Sequence, residues 1–107
     1  MASSDSYRVL VSQAATDMLA SHAAFLARVS PQAAKRLRSS FYEAAKSLES
    51  MPLRCPTLKD PCIPENKYRF LVFAKRYMLL FQMDDATGTV FVDYTLDCRQ
   101  DYGRLLR

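Results

Sequence analysis

Four prolines within thirteen residues divide this chain into two parts of different character. They are Pro52, Pro56, Pro61 and Pro64. Proline fixes φ and lacks an amide N–H, so no helix or central sheet strand can run through so many of them. Residues 51–66 are therefore expected to form a loop. The whole chain has 107 residues, which is the size of one domain, and the small polar residues 1–6 are expected to be frayed.

Before this loop, the apolar residues follow the spacing of helices. After a short alternating segment at 7–11, which fits a strand, apolar residues recur every three or four positions, and this predicts a helix over 13–28 with Ser12 as its N-cap. Ser30 and Pro31 are typical of the start of a second helix, expected over 31–50. Because the link between the two helices is so short, they should pack as an antiparallel hairpin.

After the loop, the pattern changes to the alternation of strands. Strands are predicted over 67–73, 77–83 and 89–96, joined by turns at 74–76 and 84–88, and residues 99–106 could add one or two closing helical turns. The expected order is β-α-α-β-β-β. This is an α+β domain in which the helical hairpin covers one face of a mainly antiparallel four-stranded sheet.

The second and third predicted strands are apolar on both faces, although the helices can cover only one. We expect a spare apolar surface made of Leu71, Phe73, Met78 and Leu80. It could serve as a groove for a partner segment. The alternative is that the proline-rich loop or the C-terminal turn covers it.

The cysteines and the single histidine do not suggest a metal centre. Cys55, Cys62 and Cys98 form no CxxC pair, and a zinc site needs about four ligands. Free thiols in a reducing compartment, with no metal and no cofactor, are the expectation. His22 falls on the apolar stripe of the first helix, where a packing role is expected.

Charge is segregated along the sequence. The net charge is +4, with +4 over 28–46, +4 over 54–76, −4 over 77–98 and +2 over 99–107. This pattern suggests an anionic partner, either nucleic acid or an acidic peptide, although solvated helix faces would account for part of it. No stretch has the length of a membrane span or the pattern of a secretory signal, so a cytoplasmic protein without a membrane partner is expected.

Together with this element order, three sequence pieces resemble the RelE/ParE superfamily of toxins from type II toxin–antitoxin systems. They are Tyr68-Arg69, the segment 77–81 followed by acidic residues and a short turn, and the run 98–102 with Leu105-Leu106 behind it. The resemblance implies a toxin that is held inactive by an acidic antitoxin, which would cover Leu71, Phe73, Met78 and Leu80.

The ribonuclease branch of this superfamily cuts mRNA at the ribosomal A site, so ribosome and mRNA are the implied partners. The resemblance assigns Arg99 to stabilising the transition state, Arg69 to binding the scissile phosphate, and Tyr102 to orienting or protonating. Such chemistry needs cations close to the phosphate. Further contacts to RNA phosphates would come from three basic residues: Lys67, Lys75 and Arg76.

Three departures leave other functions open. Many ribonuclease members carry basic residues where this chain has Met78, Leu71 and Tyr94. The ParE branch, which inhibits DNA gyrase by binding, needs no catalytic groups and is the alternative. A non-toxic RNA-binding module is a further alternative.

The two arginines also have structural alternatives. Arg69 could pair with Asp93, and Arg99 could pair with Asp97 or Asp101.

Overall fold

The computed structural model describes residues 6–59, 61 and 64–99, and its elements follow the predicted order. The predicted boundaries agree with the observed ones to within about three residues. The elements are β1 Arg8–Val11, α1 Gln13–Ala27, α2 Pro31–Ser47, β2 Arg69–Phe73, β3 Tyr77–Asp84 and β4 Thr89–Asp97. The closing helical turns predicted over 99–106 lie almost entirely outside the described residues.

The four strands form one mixed sheet in the order β1-β4-β3-β2. β3 pairs antiparallel with both β2 and β4, whereas β1 adds parallel to β4. A register shift between Leu80 and Phe81 places one extra residue on β4. The α+β class and the helical hairpin against a mainly antiparallel sheet are thus confirmed.

Serine side chains begin both helices, as the sequence predicts. The Ser12 hydroxyl accepts from the Ala15 amide at 2.9 Å and also donates to the Asp93 carbonyl at 2.9 Å. The Ser30 hydroxyl accepts from the Ala33 amide at 3.2 Å. Ser12 therefore joins α1 to β4 in addition to capping the helix.

We expect Ser12→Ala to lower the free energy of unfolding by about 2 kcal/mol, because it loses a cap and the hydrogen bond to the Asp93 carbonyl of β4. Ser30→Ala is the matched control and should cost about 1 kcal/mol, since it loses a cap alone. Urea unfolding of the two variants measures the difference. Equal losses would contradict the bond to Asp93.

The main core lies between the helical hairpin and one face of the sheet, here called the inner face. Its largest fully buried side chains are Phe41, Phe81, Leu19, Leu48 and Leu79. His22 lies at its margin, where Nε2 is 3.2 Å from the Thr95 carbonyl and the ring packs on Tyr77. The packing role expected for His22 is confirmed.

The opposite, outer face of the sheet carries a second apolar cluster that the proline-rich segment covers. Leu58 from that segment belongs to this cluster, and its amide donates to the Tyr68 carbonyl at 2.8 Å. Its other buried members are Tyr68, Met78, Leu80 and Leu96, and the half-buried Met18, Phe70 and Tyr94 pack against them. Leu80 and Leu96 are fully buried.

The expectation of one spare apolar surface is therefore wrong. Leu71 and Phe73 are opposite Leu79 and Tyr77 on the inner face and belong to the main core. Met78 and Leu80 lie on the outer face but are 3% and 0% exposed beneath the proline-rich segment. Alternation along two strands that are apolar on both faces does not reveal which residues share a side, and here the register decides it.

The proline-rich segment is also fixed to the helices. The Arg54 guanidinium donates to the carbonyls of Ser47 at 3.3 Å and Ser50 at 2.8 Å, where α2 ends. A cation at a helix C-terminus satisfies carbonyls that have no partner within the helix. No helix in the described part of the chain is long and apolar enough to cross a membrane.

Candidate functional site

Arg99 lies just after β4 and forms an ion pair with Asp97. Arg99 Nη2 is 3.1 Å from Asp97 Oδ2, and its Nε and backbone amide both donate to Oδ1, at 3.3 and 2.9 Å. The Asp97 side chain is mostly buried, whereas the Arg99 side chain is 63% exposed. Arg99 is thus oriented by its neighbour while its outer surface stays open to a ligand.

The ion pair affects the ionisation of Asp97. The hydrogen bond from Arg99 lowers the pKa of this carboxyl, which outweighs the opposing effect of its partial burial. The Cys98 thiol beside it has a raised pKa because of its burial and the nearby Asp97 charge. At neutral pH, a smaller fraction of Cys98 is therefore in the reactive thiolate form than for an ordinary cysteine.

The lowered pKa predicts an acid-sensitive contribution to stability. A carboxyl whose pKa is lower in the folded state stabilises the fold above its unfolded pKa, near 3.9, and loses that contribution as pH falls through the folded value. Wild type should therefore lose more stability than Arg99→Ala between neutral pH and about pH 2.5. Urea unfolding at both pH values tests this. Arg38→Ala on the exposed side of α2 is the control and should behave as wild type.

Arg69 is held at the start of β2 by the proline-rich segment. Its Nη1 donates to the Cys55 carbonyl at 2.6 Å. The backbones of Arg69 and Thr57 also pair as an isolated β-bridge. Arg69 does not form the alternative pair with Asp93, whose Oδ2 instead accepts from Gln82 Nε2 at 2.6 Å. Burial raises the pKa of the Cys55 thiol, and the nearby Arg54 and Arg69 oppose that shift.

The structure does not bring Arg69 and Arg99 together. Arg69 is opposite Phe81, whereas Asp97, two residues before Arg99, is opposite Tyr77. The two positions are separated by four residues of β3, roughly 13 Å, and by the width of that strand. Each guanidinium is also engaged by its own partner. Tyr102, the third residue of the expected catalytic set, lies outside the described residues.

Three cations surround a cavity between the helical hairpin and the β2–β3 turn. The cavity measures about 480 Å³ and is lined by Arg36 from α2 and by Lys75 and Arg76 from the turn. Apolar lining comes from Leu26, Ala33 and Leu37. We call it the basic pocket. Arg36 is the residue that sequence reasoning missed, because nothing in a solvated basic stripe indicates which cation will face another element.

The basic residues expected at RNA are divided between two places. Lys75 and Arg76 line the basic pocket, and Arg76 lies 5.5 Å from the centre of the Tyr77 ring. Lys67 lies 5.3 Å from the centre of the Tyr68 ring, just before β2. Their role at RNA stays a prediction.

The outer face offers little to a phosphate. Met78 and Tyr94, at positions where many ribonuclease relatives carry cations, belong to the apolar cluster there. Burial raises the pKa of Tyr68, and Tyr94 and the Asp93 carboxylate raise it further. The pKa of Tyr68 is thereby raised further from the neutral range in which general acids work well.

A family profile settles what kind of protein has this fold. The ParE toxin of the type II toxin–antitoxin system parDE is the family whose profile matches residues 9–102. The chain belongs to this family. It is therefore a toxin of a type II toxin–antitoxin system, and its partner is an antitoxin. The predicted membership of the RelE/ParE superfamily is confirmed.

Solved structures show the same fold in both branches of the superfamily. A chain of the toxin–antitoxin complex RelBE2 from Mycobacterium tuberculosis aligns with a TM-score of 0.60 and 20% identity, over 86% of this toxin and 98% of that chain. A chain of the chromosomal ParDE system from P. aeruginosa aligns with a TM-score of 0.67 and 12% identity, over 85% and 95%. No curated protein sequence matches significantly.

Proposed function

We propose that this toxin poisons its host by binding a protein target and does not cleave RNA. DNA gyrase is the target that the resemblance to the ParE branch implies. The proposal reverses the first expectation from the sequence, which favoured a ribosome-dependent mRNA endoribonuclease. The single observation that carries it is the separation of Arg69 from Arg99.

Cleavage of RNA by its own 2′-hydroxyl needs several groups at one phosphate. Cations must reach the charge that develops in the transition state, and an acid must protonate the leaving oxygen. Arg69 is bound to the Cys55 carbonyl at the start of β2, and Arg99 is bound to Asp97 beyond the far end of β4. In this arrangement the two guanidinium groups are held by separate partners and are not positioned at one phosphate.

The outer face adds a second argument against cleavage. Its centre is filled by side chains such as Met78 and Leu80, which are buried under the proline-rich segment. At its side, Asp93 presents a carboxylate, which repels a phosphate. Over residues 6–59, 61 and 64–99, this face combines buried apolar side chains with an acid and shows no cluster of cations, which favours a structural role.

Binding places weaker demands on the same residues. Arg99 is mostly exposed and begins the basic C-terminal segment 99–107, whose net charge is +2. An exposed cation fixed by a neighbouring carboxylate is well suited to an acidic surface on a protein target, because little conformational freedom is lost on binding. We propose that this segment contacts the target.

Induction of the toxin without its antitoxin tests the proposal. Growth should stop, and incorporation of labelled thymidine should fall before that of labelled methionine. Purified toxin should also abolish negative supercoiling by purified gyrase, and Arg99→Ala should weaken that inhibition about tenfold or more, as expected for an interface cation. Arg38→Ala is the control. Early loss of methionine incorporation with normal supercoiling would overturn the assignment.

A further inference from the structure

The basic pocket has the features of a binding site for a peptide. It is a cavity of about 480 Å³ that is lined both by cations and by aliphatic groups. In the part of the chain that the structure describes, neither Arg36 nor Lys75 has an ion-pair partner, and no acidic residue lines the cavity. Unpaired positive charge beside an apolar surface suits a ligand that combines both characters.

The β2–β3 turn holds its side of the pocket in an uncommon conformation. Ala74 and Lys75 both have positive φ, at 49° and 72°. Tight hairpin turns of this kind favour asparagine and glycine, and other residues there carry strain. The strained turn places Lys75 on the cavity opposite Arg36.

We propose that the basic pocket receives an acidic segment of the antitoxin, with an apolar side chain against Leu26 and Leu37 and carboxylates on Arg36 and Lys75. Charge complementarity supports this occupant. Leu26, Ala33 and Leu37 supply the apolar side chains that such a segment would contact. The inference needs only the antitoxin partner, so it holds whichever target the toxin poisons.

Nucleic acid fits the pocket less well than such a peptide. Single-stranded nucleic acid is commonly bound by bases stacked on exposed aromatic rings. Among the residues that the structure describes, Tyr77 is the only aromatic one lining the cavity, and it is 4% exposed, with His22, Phe73 and Arg76 around its ring. The aliphatic lining would also contribute nothing to a phosphate.

Two variants test the proposal without using residues assigned to the target. Arg36→Glu reverses a charge at the pocket, and Ala33→Trp fills the cavity without changing charge. The matched control is Arg38→Glu, an equal reversal at an exposed position of the same helix that does not line the cavity. Calorimetric titration with the purified antitoxin encoded beside the toxin gene gives each dissociation constant.

We expect Arg36→Glu to weaken antitoxin binding by about tenfold or more, with Ala33→Trp at least as damaging. Arg38→Glu should change the dissociation constant less than about twofold. Both pocket variants should still stop growth in the absence of antitoxin. Because the binding measurement uses only toxin and antitoxin, its outcome does not depend on whether gyrase is the target. If circular dichroism shows that Ala33→Trp does not fold, the comparison of the dissociation constants of Arg36→Glu and Arg38→Glu is the test.

Two outcomes would overturn the inference. The first is unchanged antitoxin binding by Arg36→Glu, and the second is an equal loss in Arg38→Glu. If antitoxin binding is unchanged but Arg36→Glu weakens binding of a fluorescein-labelled single-stranded RNA, the pocket is assigned to nucleic acid.

Discussion

Replacing Phe41 by alanine should lower the free energy of unfolding by about 3–5 kcal/mol, because the ring is removed from the centre of the main core. Phe41 is fully buried, and its ring contacts Phe73 edge-on with 5.8 Å between ring centres. A domain of this size has a total stability of only about 5–15 kcal/mol, so the variant should be close to unfolding at 37 °C.

The next residue provides the control for Phe41. Tyr42 is 54% exposed on the same helix, and Tyr42→Ala should cost less than about 1 kcal/mol. Urea denaturation followed by circular dichroism measures both variants. Comparable losses at the two positions would mean that α2 does not face the sheet in the way described.

The second large effect is expected at the outer face. Met78→Arg introduces a cation where many ribonuclease relatives have one, but here the position is 3% exposed in the apolar cluster. An unpaired buried charge and the extra side-chain volume should cost about 3–5 kcal/mol. We expect no gain of RNA cleavage, since Arg69 and Arg99 stay apart.

Val72 is the matched control, because it is the direct strand partner of Met78 and is 48% exposed. Val72→Arg should change stability by less than about 1 kcal/mol, since the new side chain can reach solvent. If Met78→Arg were equally well tolerated, the outer face would be open. It could then hold a ligand, contrary to the account given above.

The sequence was sufficient for the elements and their order, but not for which residues share a face. Ser12, Ser30 and Pro31 mark the helices through local chemistry, and they were found for that reason. Leu71 and Met78 were expected on one surface. They lie on opposite faces because pairing of β2 with β3 places Leu71 against Leu79 and Met78 against Val72. That pairing depends on register, which alternation alone does not fix.

The candidate site illustrates a similar limit. The pair between Arg99 and Asp97 was foreseeable as an alternative, because the two residues are close in sequence. The bond from Arg69 to the Cys55 carbonyl was not, because it depends on where an irregular proline-rich segment crosses the start of β2. Likewise, the basic pocket joins Arg36 of α2 to the β2–β3 turn, and only tertiary structure brings them together.

Ribosome-bound mRNA incubated with purified toxin tests the central claim most directly. Primer extension across the message should show intact RNA, at toxin concentrations that abolish gyrase supercoiling, because Arg69 and Arg99 are held by separate partners and not at one phosphate. Codon-phased cuts that disappear in Arg99→Ala would contradict the account and identify the toxin as an mRNA endoribonuclease.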